Sequence, residues 1–236
     1  MSSRAIWRNL KDFALYLPVS VWFNFYHLPL KQAFRLPILL RAPRLSCCAG
    51  SVRIEAERIR PGMIRLGGRG TGVFSRPQFL WENRGRVVFR GTCRIGSNSL
   101  VSVGERGVLT IGNNFTAGTS LELICYHRIS FGENTLVGWD NVFCDTDFHR
   151  TRSECPSSGY APIEIGDENW FGMKSIVLKG TRTPDRCIVG AGAVLAKDYS
   201  SLPEKCLLAG NPATLKKTDI YLDRNDDRIH YSTYES

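Results

Sequence analysis

The residues best suited to chemistry sit in the run Asp145-Thr146-Asp147-Phe148-His149. Imidazole is the side chain whose ordinary pKa lies nearest neutrality, so His149 is a candidate to take a proton from a hydroxyl. A carboxylate bonded to the far ring nitrogen fixes the tautomer and stabilises the imidazolium. In extended backbone, positions 145, 147 and 149 share a face, which offers Asp145 or Asp147 for that task. The bland alternative is a solvated turn histidine beside acidic residues. Cys144 adjoins the group and is a nucleophile by type. Alternation between inward and outward positions makes it read as core packing instead.

A second cluster closes the regular part of the chain, in Ala209-Gly-Asn-Pro-Ala-Thr-Leu-Lys-Lys217. A Gly210-Asn211-Pro212 turn exposes backbone donors, and Lys216 and Lys217 are compact cations suited to phosphate. Metal chemistry is poorly supplied. No Cys-x-x-Cys pair occurs among the 8 cysteines, and of 4 histidines only His127 and His149 fall inside the regular region. The expectation is no metal, reduced thiols and a cytoplasmic protein.

Such side chains need a scaffold, and the sequence announces one. Residues 165–200 divide into six hexads: IGDENW, FGMKSI, VLKGTR, TPDRCI, VGAGAV and LAKDYS. The first positions, Ile165, Phe171, Val177, Thr183, Val189 and Leu195, are apolar with one exception; the fifth positions are mostly small. A period of six cannot be an amphipathic helix, whose stripe recurs at about 3.6 residues. It fits short strands separated by turns. Three hexads then make one triangular coil, with first positions inside, stacked on their counterparts 18 residues later, and coils about 4.8 Å apart. Apolar-glycine pairs at Ile95, Ile111, Phe131 and Val137 extend the pattern upstream with irregular spacing. The register breaks after Phe148 in a polar loop over 149–162, and projecting loops are where function concentrates.

Over residues 85–217 this pattern resembles the hexapeptide-repeat family, and within it the acyl-CoA-dependent O-acetyltransferases of sugars and surface polysaccharides. The resemblance implies an all-β, left-handed parallel β-helix, the hand coming from the family and not from the spacing. It implies His149 as general base, with Asp145 or Asp147 orienting it. It implies acetyl-CoA as donor, lying in a groove at coil corners. On that basis the donor contacts are Trp170, Gly172, Lys174, Gly190, Ala191, Gly192, Lys197, Gly210, Asn211, Pro212, Lys216 and Lys217. Phe171 and Lys179 depart from the family's usual aliphatic residue and proline. Trp139, Arg150, Arg152 and Tyr160 are the candidates for holding a saccharide acceptor, whose identity stays open. A homotrimer is implied, with His149 of one copy facing the Trp170 region of the next. The alternatives are a non-catalytic β-helix scaffold and a zinc protein like the γ-carbonic anhydrases; the latter needs three histidines.

The chain of 236 residues carries a formal net charge of +9 and 43% hydrophobic residues, which excludes a disordered chain. Its basic residues form no nucleic-acid recognition motif. The charge is uneven. Residues 1–44 hold seven Lys/Arg and one acidic residue, interleaved with aromatics from Trp7 to Tyr26. That composition suits either a cap on the coil's open end or peripheral contact with an anionic inner-membrane face. Pro18 and Pro29 interrupt the apolar stretch, so neither a span nor a signal peptide is expected. The expected organisation is a capping segment over 1–60, a β-helix over 61–217 and a solvent-exposed extension over 218–236.

Overall fold

The computed structural model describes residues 3–68 (side chains from Ala14), 78–150, 152 and 158–224. Every first-position side chain of the six hexads is buried, Thr183 included. The fifth positions, Asn169, Ser175, Thr181, Cys187, Ala193 and Tyr199, are buried as well. Both follow from pleating: fifth and next first positions are two apart, so they point the same way.

The short strands assemble into three parallel faces. Face A has nine strands, from Ile38–Leu40 to Thr214–Thr218; face B has seven and face C five. The chain visits A, B and C in turn, so each circuit is one coil of a parallel β-helix. In the regular part Phe171 stacks on Val189 and Val177 on Leu195, each 18 residues apart. Across the loop, Phe143 stacks on Val177, 34 apart. The difference, 34 − 18 = 16 residues, leaves the coil between faces B and C. Up the middle runs a buried ladder, Phe115, Phe131, Phe143 and Phe171, with centroids 4.9–5.1 Å apart and edges against faces.

Glycine and left-handed backbone have separate places at the corners. The glycine of each apolar-glycine pair is there for close approach: a Cβ at Gly112 would sit 2.3 Å from the Gly132 carbonyl oxygen, and one at Gly172 would sit 2.6 Å from the Ala191 nitrogen. The left-handed backbone at the corner between faces C and A falls instead on Asn114, Asn134, Glu168, Arg186 and Lys205, with φ between 55° and 57°.

The coil starts earlier than its visible repeat. Ile38–Leu40 already pairs with Ile64–Leu66, so the three strands of the first circuit lie within 1–60. Its circuit of 26 residues (Ile38 to Ile64) hides the period of 18. The open end is closed by helix α1 (Ser3–His27), followed by a single turn, α2 (Leu30–Ala33). Buried Asn24 donates to the Ile38 carbonyl (2.7 Å) and accepts from the Ile38 N–H (3.1 Å). The Leu40 N–H donates to Ser20 Oγ at 3.0 Å. Two helix side chains thereby satisfy the free edge of face A, while Phe23 packs edge-on to Trp81 at 5.5 Å. At the far end Thr214–Thr218 folds back antiparallel on Cys206–Ala209 and ends the parallel stacking. Of the C-terminal extension, the described part packs back on the coil: Arg224 donates to the Asn114 carbonyl at 3.1 Å. Residues 225–236, His230 among them, lie outside the described residues.

Two predictions come from the cap. Asn24→Leu leaves the Ile38 N–H and carbonyl without partners and is expected to lower stability by about 2–4 kcal/mol, read from urea denaturation. His27 is half-buried against Phe23, and burial lowers its pKa to about 4. The unfolded chain, with an ordinary histidine near 6.5, binds that proton more readily. The stabilising contribution is therefore full above about pH 6.5 and lost as pH falls towards 4. His27→Gln is expected to flatten the fall in melting temperature across that window.

Candidate functional site

The corner between faces B and C carries the run that holds His149. Face-B strand Val142–Cys144 ends one residue before Asp145, whose side chain turns inward and is fully buried. Its two carboxylate oxygens accept the backbone N–H groups of Tyr126 and His127, both at 2.8 Å, from the preceding coil. Beyond it the chain leaves as a narrow neck. Thr146 bridges antiparallel to Tyr160, and the Asp147 N–H donates to the Gly159 carbonyl at 2.7 Å. Phe148 bends the chain with φ 58°, and His149 is exposed beside it.

Rings brace this neck. Phe148 packs edge-on to Tyr126 at 4.8 Å, and Tyr160 lies 4.9 Å from the half-buried His127. From the following coil, Lys179 Nζ reaches Asp147 Oδ2 at 2.8 Å. The corner thus gathers His149, His127, Tyr126, Tyr160, Asp147 and Lys179 from three successive coils.

Three expectations change here. Asp145, Asp147 and His149 do not share a strand face, because the strand stops at Cys144 and the chain bends at Phe148. Among the described residues, no hydrogen bond joins either aspartate to His149: Asp145 is spent on two backbone amides and Asp147 on Lys179. Cys144 points out of face B rather than into the core, donating to the Thr146 carbonyl at 3.1 Å. Burial pushes its thiol pKa up, which disfavours the thiolate a nucleophile requires. Arg150 and Arg152 are exposed, while residues 151 and 153–157 of the same loop lie outside the described residues.

Most proposed donor contacts gather at a different corner, between faces A and B. Gly172, Lys174, Gly190, Ala191 and Gly192 stack there, with Gly210, Asn211 and Pro212 closing the column. Gly192 has φ 70°, and nothing lies within 4 Å of where its Cβ would stand, so the backbone there is open to a ligand. Trp139 belongs to this corner too, its indole lying over Gly118. Trp170 sits on the outer side of face A, aligned with Leu136 and Ile188. Lys216 and Lys217 are exposed on the terminal strand. Lys197 stands apart, at the His149 side of the coil, its ammonium 5.3 Å from the Tyr199 ring. Face B separates the two corners by about 13 Å, four residues of strand.

No group of three or more His, Cys, Asp or Glu able to hold a metal ion occurs among the described residues.

No protein-family model matches the chain. It is 29% identical over 124 residues to the galactoside O-acetyltransferase of Escherichia coli (strain K12), across 51% of this chain and 57% of that one. It is 25% identical over 192 residues to an E. coli (strain K12) protein provisionally named lipopolysaccharide biosynthesis O-acetyl transferase, across 76% and 93%. In sequence, then, the chain is similar to proteins named as O-acetyltransferases. Against other curated relatives the chain spans about half of their length. A solved polySia-specific acetyltransferase superposes with a TM-score of 0.49 at 20% identity, covering 84% of this chain and 83% of that one.

Sequence reasoning passed over the bond between Asp147 and Lys179. The strand register would have exposed it, because Cys144 pairs with Leu178 and so brings the residues that follow each into one corner. Asp145→Ala strands two backbone N–H groups, and we expect a loss of about 2–4 kcal/mol in urea denaturation. Lys179→Ala removes only a partly exposed ion pair and is expected to cost less than about 1 kcal/mol in the same assay.

Proposed function

We propose that this chain transfers an acetyl group from acetyl-CoA to a hydroxyl of a sugar or polysaccharide precursor. The observation that carries the reading is the similarity running along 93% of a relative named for O-acetyl transfer in lipopolysaccharide biosynthesis. The coil supports it by presenting an exposed imidazole at one corner and an open, glycine-lined backbone at the next.

The two corners lie on opposite sides of face B, which suggests how a complete site forms. The outer side of that face is apolar around Ile124, Val142, Ile176, Leu178 and Val194, with Ile176 39% exposed. Packing this face against neighbouring copies in a closed ring is a head-to-tail contact. It sets the His149 corner of one copy towards the Gly172–Gly192 corner of the next. A homotrimer completes the site in this reading. Lys216 and Lys217, exposed at the same end as Gly210, supply cations for the donor's phosphates.

Chemically, His149 accepts the proton of the acceptor hydroxyl as its oxygen bonds to the acetyl carbonyl carbon. Backbone N–H groups at a corner steady the oxyanion. The carbon–sulfur bond then breaks, and the imidazolium returns its proton to the departing thiolate. No covalent bond to the protein forms. Asp147 acts on His149 only if substrate draws it away from Lys179. Asp145 acts at one remove, by fixing the backbone of Tyr126 and His127. Arg150, Arg152 and Tyr160 line the acceptor side, and Trp139 borders the donor side of the neighbouring copy.

The test is thiol release from acetyl-CoA across a panel of sugar acceptors. His149→Ala is expected to lower turnover by about 10²–10⁴-fold while leaving acetyl-CoA affinity unchanged. Equal rates for the two proteins remove the general base. Absence of both turnover and acetyl-CoA binding in the unaltered protein returns the chain to the scaffold reading.

A further inference from the structure

Helix α1 leaves an apolar face uncovered. A helix packed on a core ordinarily turns its apolar stripe inward and its polar face to water. Here the face against the coil carries polar Ser20 and Asn24, which are spent on the Ile38–Leu40 edge, together with Phe23. The opposite face carries Leu15, Trp22, Phe25 and Tyr26 at helical spacing, all exposed. The patch continues past the helix end onto Leu30 and Phe34, which is 73% exposed. These side chains are mutually ordered: Trp22 stacks on Tyr26 at 5.0 Å, and Phe25 packs edge-on to Phe34 at 5.1 Å. Capping the coil therefore accounts for the face with Ser20, Phe23 and Asn24 alone, and nothing among the described residues covers the face with Trp22, Phe25 and Tyr26. A contiguous exposed apolar patch of this kind marks a docking surface.

We propose that this face seats α1 in the plane of a membrane surface bearing anionic headgroups. Charge selects that occupant. Residues 1–44 hold seven Lys/Arg against one acidic residue, a net of 7 − 1 = +6. Lys31 and Arg35 lie exposed beside Leu30 and Phe34. A second copy docked there by a two-fold axis would bring two such segments together, and their like charges repel. Anionic lipid turns the same charge into attraction, at about fivefold in affinity per basic residue near the surface. Trp22 and Tyr26 have an apolar body and a polar tip, the combination favoured at the headgroup boundary. Among the described residues no helix is long and apolar enough to cross a membrane, so the helix lies along the surface. This inference is independent of the acetyl-transfer reading.

The experiment is co-sedimentation of the full chain with phosphatidylcholine vesicles, with and without phosphatidylglycerol. Binding is expected to be at least about tenfold tighter to the anionic vesicles and to weaken as salt is raised. The double substitution Trp22→Ser with Phe34→Ser is expected to weaken binding by about tenfold or more, with the urea midpoint and assembled size unchanged. Lys31→Glu, outside the coil, is expected to weaken it about fivefold or more. Brominated lipid is expected to quench tryptophan emission of the unaltered protein, a readout that does not depend on any variant folding. Three results overturn the proposal: no binding to phosphatidylglycerol vesicles at low salt, binding that neither set of substitutions changes, or a double variant whose assembled size falls. The last assigns the face to contact between copies.

Discussion

The backbone of each coil is satisfied by the coil above and the coil below, and everything else in this protein is arranged around that. Parallel strands only about 4.8 Å apart force side chains of the same kind into columns. An inward column must be apolar or hydrogen-bonded, as Leu123, Phe143, Val177 and Leu195 are on face B, and the Phe115–Phe131–Phe143–Phe171 ladder, drawn from all three faces, fills the space between such columns. The same spacing explains the glycines. Where one corner presses on the next there is no room for a Cβ, as at Gly112 and Gly172. Between faces C and A, from Asn114 onward, the left-handed bends fall on Asn, Glu, Arg and Lys, which bear the modest strain because the stacked neighbours on both sides hold them.

A stack of coils with its interior filled by side chains has two problems, an exposed strand edge at each end and, among the described residues, no room inside for a ligand. The first is met by unlike devices. Ser20 and Asn24 of α1 mimic a neighbouring strand at one end, and the antiparallel return of Thr214–Thr218 closes the other. The second leaves the outside of the coil, at its corners, as the place to hold a ligand. The coil answers by sending 16 extra residues out between faces B and C, braced by Asp145 beneath and by Tyr126, Phe148 and Tyr160 around the neck. Asp145 is the hinge of this arrangement. It takes two amides that the interrupted coil would otherwise leave without partners.

The sequence by itself determined the coil from about residue 163 onwards, because a period of six with apolar first positions admits one stacking and no helix. It also marked the loop, since a register broken at Phe148 and resumed at Ile163 can only leave the coil. It could not give the start of the coil at Ile38. There the circuits are lengthened by insertions at the corners, and a repeat of uneven length has no period to detect. Tertiary structure alone decided the partners of Asp145, Asp147 and Cys144, because inward or outward direction depends on where a strand ends, and that is fixed by the coils on either side. It also decided that α1 turns Ser20 and Asn24, with Phe23, to the protein and Trp22, Phe25 and Tyr26 away. Composition records only that these side chains are present; which face each takes depends on the hydrogen-bonding demand of the strand edge the helix meets.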